Sequence, residues 1–400
     1  MLRVLTASTE NIDDLDAAIN DIKTQLDMDN TLLKNTVGII ACHYEFANAG
    51  TVKAICGVLP FEVCGTISST QGLAGVSANL LLTLMVLTSD DLSFKTLLTS
   101  SLRGPFPSEK DSVAGTIREA YTSAVSDRAD MKPSLIFVYA PFMPENSGDE
   151  YVNVLTDVSG GAPCFGTLAV DDTVTFSECY LLYNGEKYRD RMAMILVYGD
   201  CKPRFFLAAI SENKFFDRPA LITASAGHIL KEVNGRPVSE YFESMGLTKA
   251  SETSYAMTSL PFMVDYNDGT PPVSKVFIGL NEDRYAICAG AMPEGSTLYL
   301  GVFDKDDVLL TSRKAVQEAL SGIGNSSGML IYSCISRSMT LGSELFAEIK
   351  LVQEEIGGKL PFLMAYSGGE ICPTLIKQSA AKEETAINRF HNNTLILCIL

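Results

Sequence analysis

Hydrophobic positions in this chain come in unbroken runs rather than in alternation, and the runs recur in a fixed order. VGIIACHYEF (37–46) leads to a helical stretch, then to LPFEVCGT (59–66), a glycine-containing turn and NLLLTLMVLT (79–88). SLIFVYAPF (134–142) opens the same series, followed by a segment near Asp149 to Ser159, APCFGTLAV (162–170) and MAMILVYGD (192–200). GMLIYSCIS (328–336) opens it again, with ELFAEIKLVQEEIGG, LPFLMAYSGGE and finally NTLILCIL. Each unit reads strand, helix, strand, turn, strand. Apolar runs of this kind mark strands covered on both faces, as in sheets flanked by helices. Pro60, Pro163 and Pro361 suit the first position of a strand, where no ladder donor is lost.

Helical spacing appears between the runs. Leu15, Ile19, Ile22 and Leu26 form one stripe, and Val113, Ile117, Tyr121 and Ala124 form a second within residues 109–128. A third joins Leu345, Ile349, Val352 and Ile356, with Ser343 as its expected cap and Gly357 and Gly358 ending it. The reading is an α/β protein: repeated strand-helix-strand-strand units forming mixed sheets flanked by helices. Hairpin-like strand pairs are frequent and no GxGxxG follows a strand, which argues against a doubly wound nucleotide fold. A chain of 400 residues exceeds what one core usually serves, so two domains are expected. Charge and proline in SENKFFDRP break the pattern and put a boundary near 212–222. The expected division is a helical segment over 1–34, a first domain over 35–220 and a second over 221–400.

Composition narrows the function classes. With 46% hydrophobic and 20% charged residues the chain is globular rather than disordered. Its formal charge of −17, from 31 basic and 48 acidic side chains, repels nucleic acid and anionic membrane surfaces. The run 79–88 is far shorter than the ~20 residues of a spanning helix, so no membrane insertion is expected. Ten cysteines are scattered singly with no CxxC pair, and MLRVLTASTENIDDLD turns acidic and polar where a secretory signal would be apolar, so a reducing cytoplasm is expected. Three histidines, His43, His228 and His391, have no partner at metal-ligand spacing.

The carboxyl-terminal half resembles a known family, the FIST sensory proteins, which carry an N-terminal and a C-terminal FIST domain in tandem. HILKEVNGRPVSEYFESMGL (228–247) resembles that family's strand, Asn-Gly turn and helix, and AGAMPEGSTLYLGVFD (289–304) its Pro-Glu-Gly-Ser/Thr hairpin. YSCISRSMTLG (332–342) is similar to its Ser-Cys-x-x-Arg motif, AYSGGEICP (365–373) to its Gly-Glu-Ile turn and FHNNTL (390–395) to its terminal Asn-x-Thr strand. In the amino-terminal half FEVCGTISSTQG resembles the corresponding strand and glycine turn, with Thr66-Ile67-Ser68 in place of the acid often found there. The resemblance spans about residues 35–400. It implies a stand-alone sensor that binds a small ligand, an amino acid being one suggestion, and signals to a partner such as a histidine kinase.

Arg337 and Glu370 each follow a buried-looking strand of the third unit, and strand ends are where ligands dock in α/β sheets. An arginine fork grips a carboxylate with two hydrogen bonds and a glutamate accepts from an amine, so the pair suits a zwitterion; the alternative is an internal salt bridge. Tyr366, Gly369 and Ser333 complete the expected wall, together with Cys334 and Asn392. Cys334 has two readings, a nucleophile served by His391 in an acyl-transfer or hydrolytic enzyme, or an apolar core filler. No cofactor is expected. The family also makes haem a variant reading, a gas sensor with one histidine as axial ligand.

Overall fold

The computed structural model describes residues 2–104, 112–128, 131–143, 145–173, 175–246, 261–375 and 386–400. The unit seen in the sequence is built three times. The first comprises β1 (Leu2–Thr9), α1 (Leu15–Leu26), the short α2 (Met28–Thr31), β2 (Asn35–Cys42), α3 (Tyr44–Asn48), α4 (Thr51–Val58), β3 (Val63–Ile67), a hairpin of β4 (Gln71–Leu73) and β5 (Val76–Ala78), and β6 (Leu82–Ser89). The second runs β7 (Ser93–Leu98), α5 (Val113–Ala124), β8 (Leu135–Ala140), α6 (Gly148–Val158), β9 (Cys164–Leu168), hairpin β10 (Leu181–Tyr183) and β11 (Glu186–Tyr188), then β12 (Ala193–Tyr198). The third begins with β13 (Arg204–Ala208). Among the described residues it then detours through eight short strands, from β14 (Ala220–Ala226) to β21 (Thr297–Leu300) with α7 (Val238–Ser244) between them, which form a separate antiparallel sheet. It resumes with α8 (Lys305–Ser321), β22 (Met329–Cys334), α9 (Ile335–Leu341), α10 (Ala347–Ile356), β23 (Phe362–Ser367), hairpin β24 (Glu370–Leu375) and β25 (Ala386–His391), and β26 (Leu395–Ile399).

Each unit has a six-stranded sheet with the same order: edge strand, last strand, first strand, second strand, hairpin. The first and second strands are parallel, Gly38 to Cys42 against Val63 to Ile67, Ile136 to Ala140 against Cys164 to Leu168, and Met329 to Cys334 against Phe362 to Ser367. The hairpins are exchanged in a ring. The first unit's β4 pairs with β23 of the third, the second's β10 pairs with β3 of the first, and the third's β24 pairs with β9 of the second. A unit cut from the chain would therefore lose the neighbour that completes its sheet.

Burial follows the strand period of two. Leu135, Phe137 and Tyr139 point into a central core with Val37, Ile39, Met85, Leu330 and Tyr332 from the other sheets, whereas Ile136, Val138 and Ala140 meet α5 and α6. That is why the runs do not alternate. Helices α1, α5 and α10 bury most of each expected stripe, Ile22 and Leu26, Val113, Ile117 and Tyr121, and Ile349, Val352 and Ile356, while Leu15 at the start of α1 is exposed.

Some local expectations need correction. Helix α10 starts at Ala347 behind Phe346 with no side-chain cap, so Ser343 does not cap it and Leu345 stands outside the stripe, partly exposed. The segment 1–34 is more than helical, because β1 pairs with β6 along its whole length and closes the first sheet. Upstream of the 212–222 break, β13 already belongs to the third unit through β26.

Candidate functional site

The Ser333–Arg337 stretch lies at the β22–α9 junction, and all its side chains but that of Ile335 are committed inside the protein. Arg337 is fully buried. Its Nε donates to Glu348 Oε1 at 2.8 Å, Nη1 to the Asn393 carbonyl at 3.2 Å, and Nη2 to the Val308 carbonyl at 2.9 Å and the Ser312 hydroxyl at 2.7 Å. Glu348, on α10, is equally buried. The Ser312 hydroxyl lies 2.6 Å from its Oε1, while its Oε2 accepts from Ser333 at 2.7 Å and from the Tyr366 hydroxyl at 3.2 Å. Arg337, expected to grip a guest carboxylate, and Ser333 and Tyr366, expected in the wall beside it, thus surround a carboxylate of the chain itself. Burial and the nearby Glu348 charge push the Tyr366 phenol well above its ordinary range.

Glu370 is not the partner of Arg337 in an ion pair. Its Oε2 accepts from the Thr394 hydroxyl at 2.7 Å, and its Oε1 is buried with no hydrogen bond. The neighbouring Ser367 hydroxyl donates instead to the Gly369 carbonyl at 2.8 Å. Burial outweighs the Thr394 bond and the pull of Arg337, and the Glu370 carboxyl is pushed up to about 8. The two glycines before it serve a seam between units. Gly368 N donates to the Leu168 carbonyl and Leu168 N to the Gly369 carbonyl, each at 2.9 Å. A Cβ on Gly368 would stand 2.7 Å from the Ala169 carbonyl, and Gly369 has φ +150° with the Phe390 ring 2.4 Å from where its Cβ would be.

The Cys334 thiol is buried and pushed up to about 12 by desolvation and by the nearby Glu370. The same register position holds Cys42 in the first unit and Ala140 in the second, all buried. That recurrence of small side chains favours the filler reading. His391, the proposed base, uses its ring on the Thr374 hydroxyl at 3.1 Å, and burial pushes it down to about 3. Asn392 Oδ1 accepts from Val276 N at 3.2 Å and tethers the β14–β21 sheet.

In front of α9 is a cavity of about 310 Å³ to which all three units contribute. Ser69, Thr70 and Asn79 come from the segment after β3 and its hairpin, Asp171, Asp172, Thr173 and Phe176 from the loop after β9, and Ile335, Ser338, Met339 and Leu345 from α9 and the turn beyond. It sits at the carboxyl ends of parallel strands, where α/β sheets bind ligands. Ser69 is 4% exposed and its hydroxyl has no hydrogen-bond partner. Asp171 is sealed: its oxygens accept from Thr173 N and Oγ1, Glu178 N and Cys179 Sγ. Asp172 is open, with 46% of its side chain exposed and His43 Nε2 at 3.3 Å. His43 Nδ1 accepts from Glu45 N, which leaves Nε2 to carry the hydrogen toward Asp172. Phe176 has φ +50°, a sparsely populated conformation for a bulky residue.

None of Arg337, Glu370, Gly369, Tyr366, Ser333, Cys334 and Asn392 lines this cavity. The contact between the two sets runs through Ser338 on α9 and through Thr70, whose carbonyl accepts from Tyr366 N at 3.2 Å. Sequence reasoning passed over Asp171 and Asp172. The available signal was a carboxylate pair directly after a non-alternating strand. Among the described residues no group of histidine, cysteine and acidic side chains has the arrangement of a metal site, and no helix is long and apolar enough to cross a membrane.

Comparison with known proteins places the chain. Residues 36–236 match the FIST N domain and residues 237–373 the FIST C domain. No curated protein matches it. Among solved structures, T. maritima PurL complexed with FGAR is similar over 100% of this chain and 72% of its own at 9% identity and a TM-score of 0.22. The PurLQS structure from Thermotoga maritima covers the same shares at 9% identity and a TM-score of 0.20. Superpositions that poor carry no argument about fold or activity here. Two family models in tandem span most of the sequence, and the chain belongs to the FIST family.

Proposed function

We propose that this protein is a cytoplasmic sensor whose ligand site is the cavity shared by its three units, and that it passes occupancy to a signalling partner such as a histidine kinase. FIST domains are sensory, signal-transduction domains that bind small ligands. The observation carrying the present assignment is that one guest in this cavity would touch the strand ends of all three units at once. Binding there would reward one relative arrangement of the units, which is what a ligand needs in order to shift a conformational equilibrium.

A physical route leads outward from the site. Helix α9 presents Ile335, Ser338 and Met339 to the cavity, and from the same helix Ser336 and Arg337 bond to Asn393. Asn393 Nδ2 donates at 2.8 Å to the Ser274 hydroxyl on β18 (Val273–Lys275) in the antiparallel sheet. A shift of α9 would be felt there. Binding without turnover fits the buried, protonated Cys334, and ten free cysteines suit a reducing compartment.

The test is a thermal-shift screen of small acids, amines and amino acids, run on the natural protein and on Met339→Trp, whose indole would fill the cavity. A ligand should raise the melting temperature of the first by linkage and not of the second. A shift that survives Met339→Trp would place the site elsewhere.

A further inference from the structure

The chemistry of the cavity wall favours one sign of charge. Among the described residues its lining contains Asp171 and Asp172 and no lysine or arginine. Because Asp171 is saturated by its own loop, it contributes negative field but no free acceptor. Asp172 keeps acceptor capacity. Its nearest donor, His43 Nε2, is 3.3 Å from each oxygen, longer than a strong N–H···O bond, and a carboxylate offers about four lone-pair sites. A guest carboxylate would meet these charges with no cation to offset them.

The polar remainder is rich in acceptors. Ser69 Oγ is buried without a partner, a condition that costs free energy until a ligand supplies a bond. Thr70 spends its hydrogen on Asn79 Oδ1 at 2.9 Å, which leaves its oxygen lone pairs as acceptors. Opposite them Phe176, Ile335, Met339 and Leu345 give an apolar wall with one aromatic ring. The volume, about 310 Å³, is at the small end of organic-ligand pockets, roughly 300–1,000 Å³.

We propose that the cavity selects a small organic cation, a primary ammonium on a short apolar or aromatic body, with Asp172 as its counter-ion and Ser69 Oγ accepting one of its N–H bonds. The proposal rests on the ligand-binding reading above and narrows it. The Phe176 ring adds a cation–π surface. A zwitterionic amino acid, which the Arg337 and Glu370 expectation favoured, brings a carboxylate that this wall does not accommodate.

The experiment is calorimetric titration of the full chain with benzylamine, benzyl alcohol, benzoate and phenylalanine, repeated on Asp172→Asn, Ser69→Ala and Met339→Trp. Benzylamine should bind most tightly, and Asp172→Asn should weaken it roughly tenfold to a hundredfold, the range of a charge-assisted hydrogen bond, while benzyl alcohol changes little. Ser69→Ala should weaken benzylamine several-fold without lowering the melting temperature, because that hydroxyl has no partner to lose. Benzoate or phenylalanine binding as tightly as benzylamine, with Met339→Trp abolishing it, would overturn the cation assignment and leave the cavity as the site. Binding of every probe unaffected by Met339→Trp, or no binding at all, would overturn both.

Discussion

The second and third units place an acid at the same point, three residues past the last paired residue of their second strand. Leu168 leads to Asp171 and Ser367 leads to Glu370; in the first unit Ile67 leads to Thr70. The outcomes differ because the neighbours differ. After β9 the loop turns its own N–H groups onto Asp171 and leaves the next residue, Asp172, facing outward into the cavity. After β23 the chain enters β24 at once, so Glu370 is drawn into the interior with one oxygen unsatisfied and Arg337 beside it already engaged by Glu348. A charge at a strand end is a ligand candidate only where the following segment leaves it open. Where the chain closes over it, the same charge becomes scaffold.

Removing scaffold should cost the most. Arg337→Met leaves Glu348 buried without its ionic partner and should destabilise the fold by about 3–5 kcal/mol, read from denaturant midpoints at constant slope. A change below about 1 kcal/mol would mean that the pair is not desolvated. Glu370 should act through pH. Its folded value of about 8 exceeds its ordinary 4.5, so its contribution to stability is complete below about pH 4.5 and is lost as pH rises through about 8. Glu370→Gln should abolish that slope, a difference on the order of 3 kcal/mol at pH 7. Parallel stability profiles for the two proteins between pH 5 and 8, taking ~1.4 kcal/mol per pH unit as the expected slope, would refute the protonated assignment.

The open end should respond more weakly. Asp171→Ala removes the acceptor that organises the β9 loop and should cost about 1–3 kcal/mol in chemical denaturation. Asp172→Asn should change stability by less than about 1 kcal/mol, since its pairing with His43 is half exposed. A large loss there would make Asp172 scaffold too and erase the contrast between the two ends.

How far the sequence could reveal this follows from which interactions are local. The three units were legible because both faces of each first strand are buried, as with Leu135 to Ala140, and unbroken apolar runs report that directly. The ring of hairpins was not. β4 and β5 are three residues each, and nothing in QGL or VSA says that the partner is Met364 and Ala365, almost three hundred positions away, rather than the strand just before. Arg337 was legible as a charge at a buried strand end, but Glu348 was hidden in a helix read for its stripe of Ile349, Val352 and Ile356. The Gly368-Gly369 pair lacks Cβ atoms and so permits close approach, but nothing in the sequence says that what approaches Gly368 is the second unit's own backbone.

The central claim is that the three-unit cavity is where this protein meets its ligand. Hydrogen exchange on the full chain, with and without a compound that shifts its melting temperature, tests that most directly. The account predicts new protection at three separated segments together, around Ser69, Asp172 and Met339. Protection confined to one unit, or appearing instead around Arg218 to Met245 in the antiparallel sheet, would contradict it.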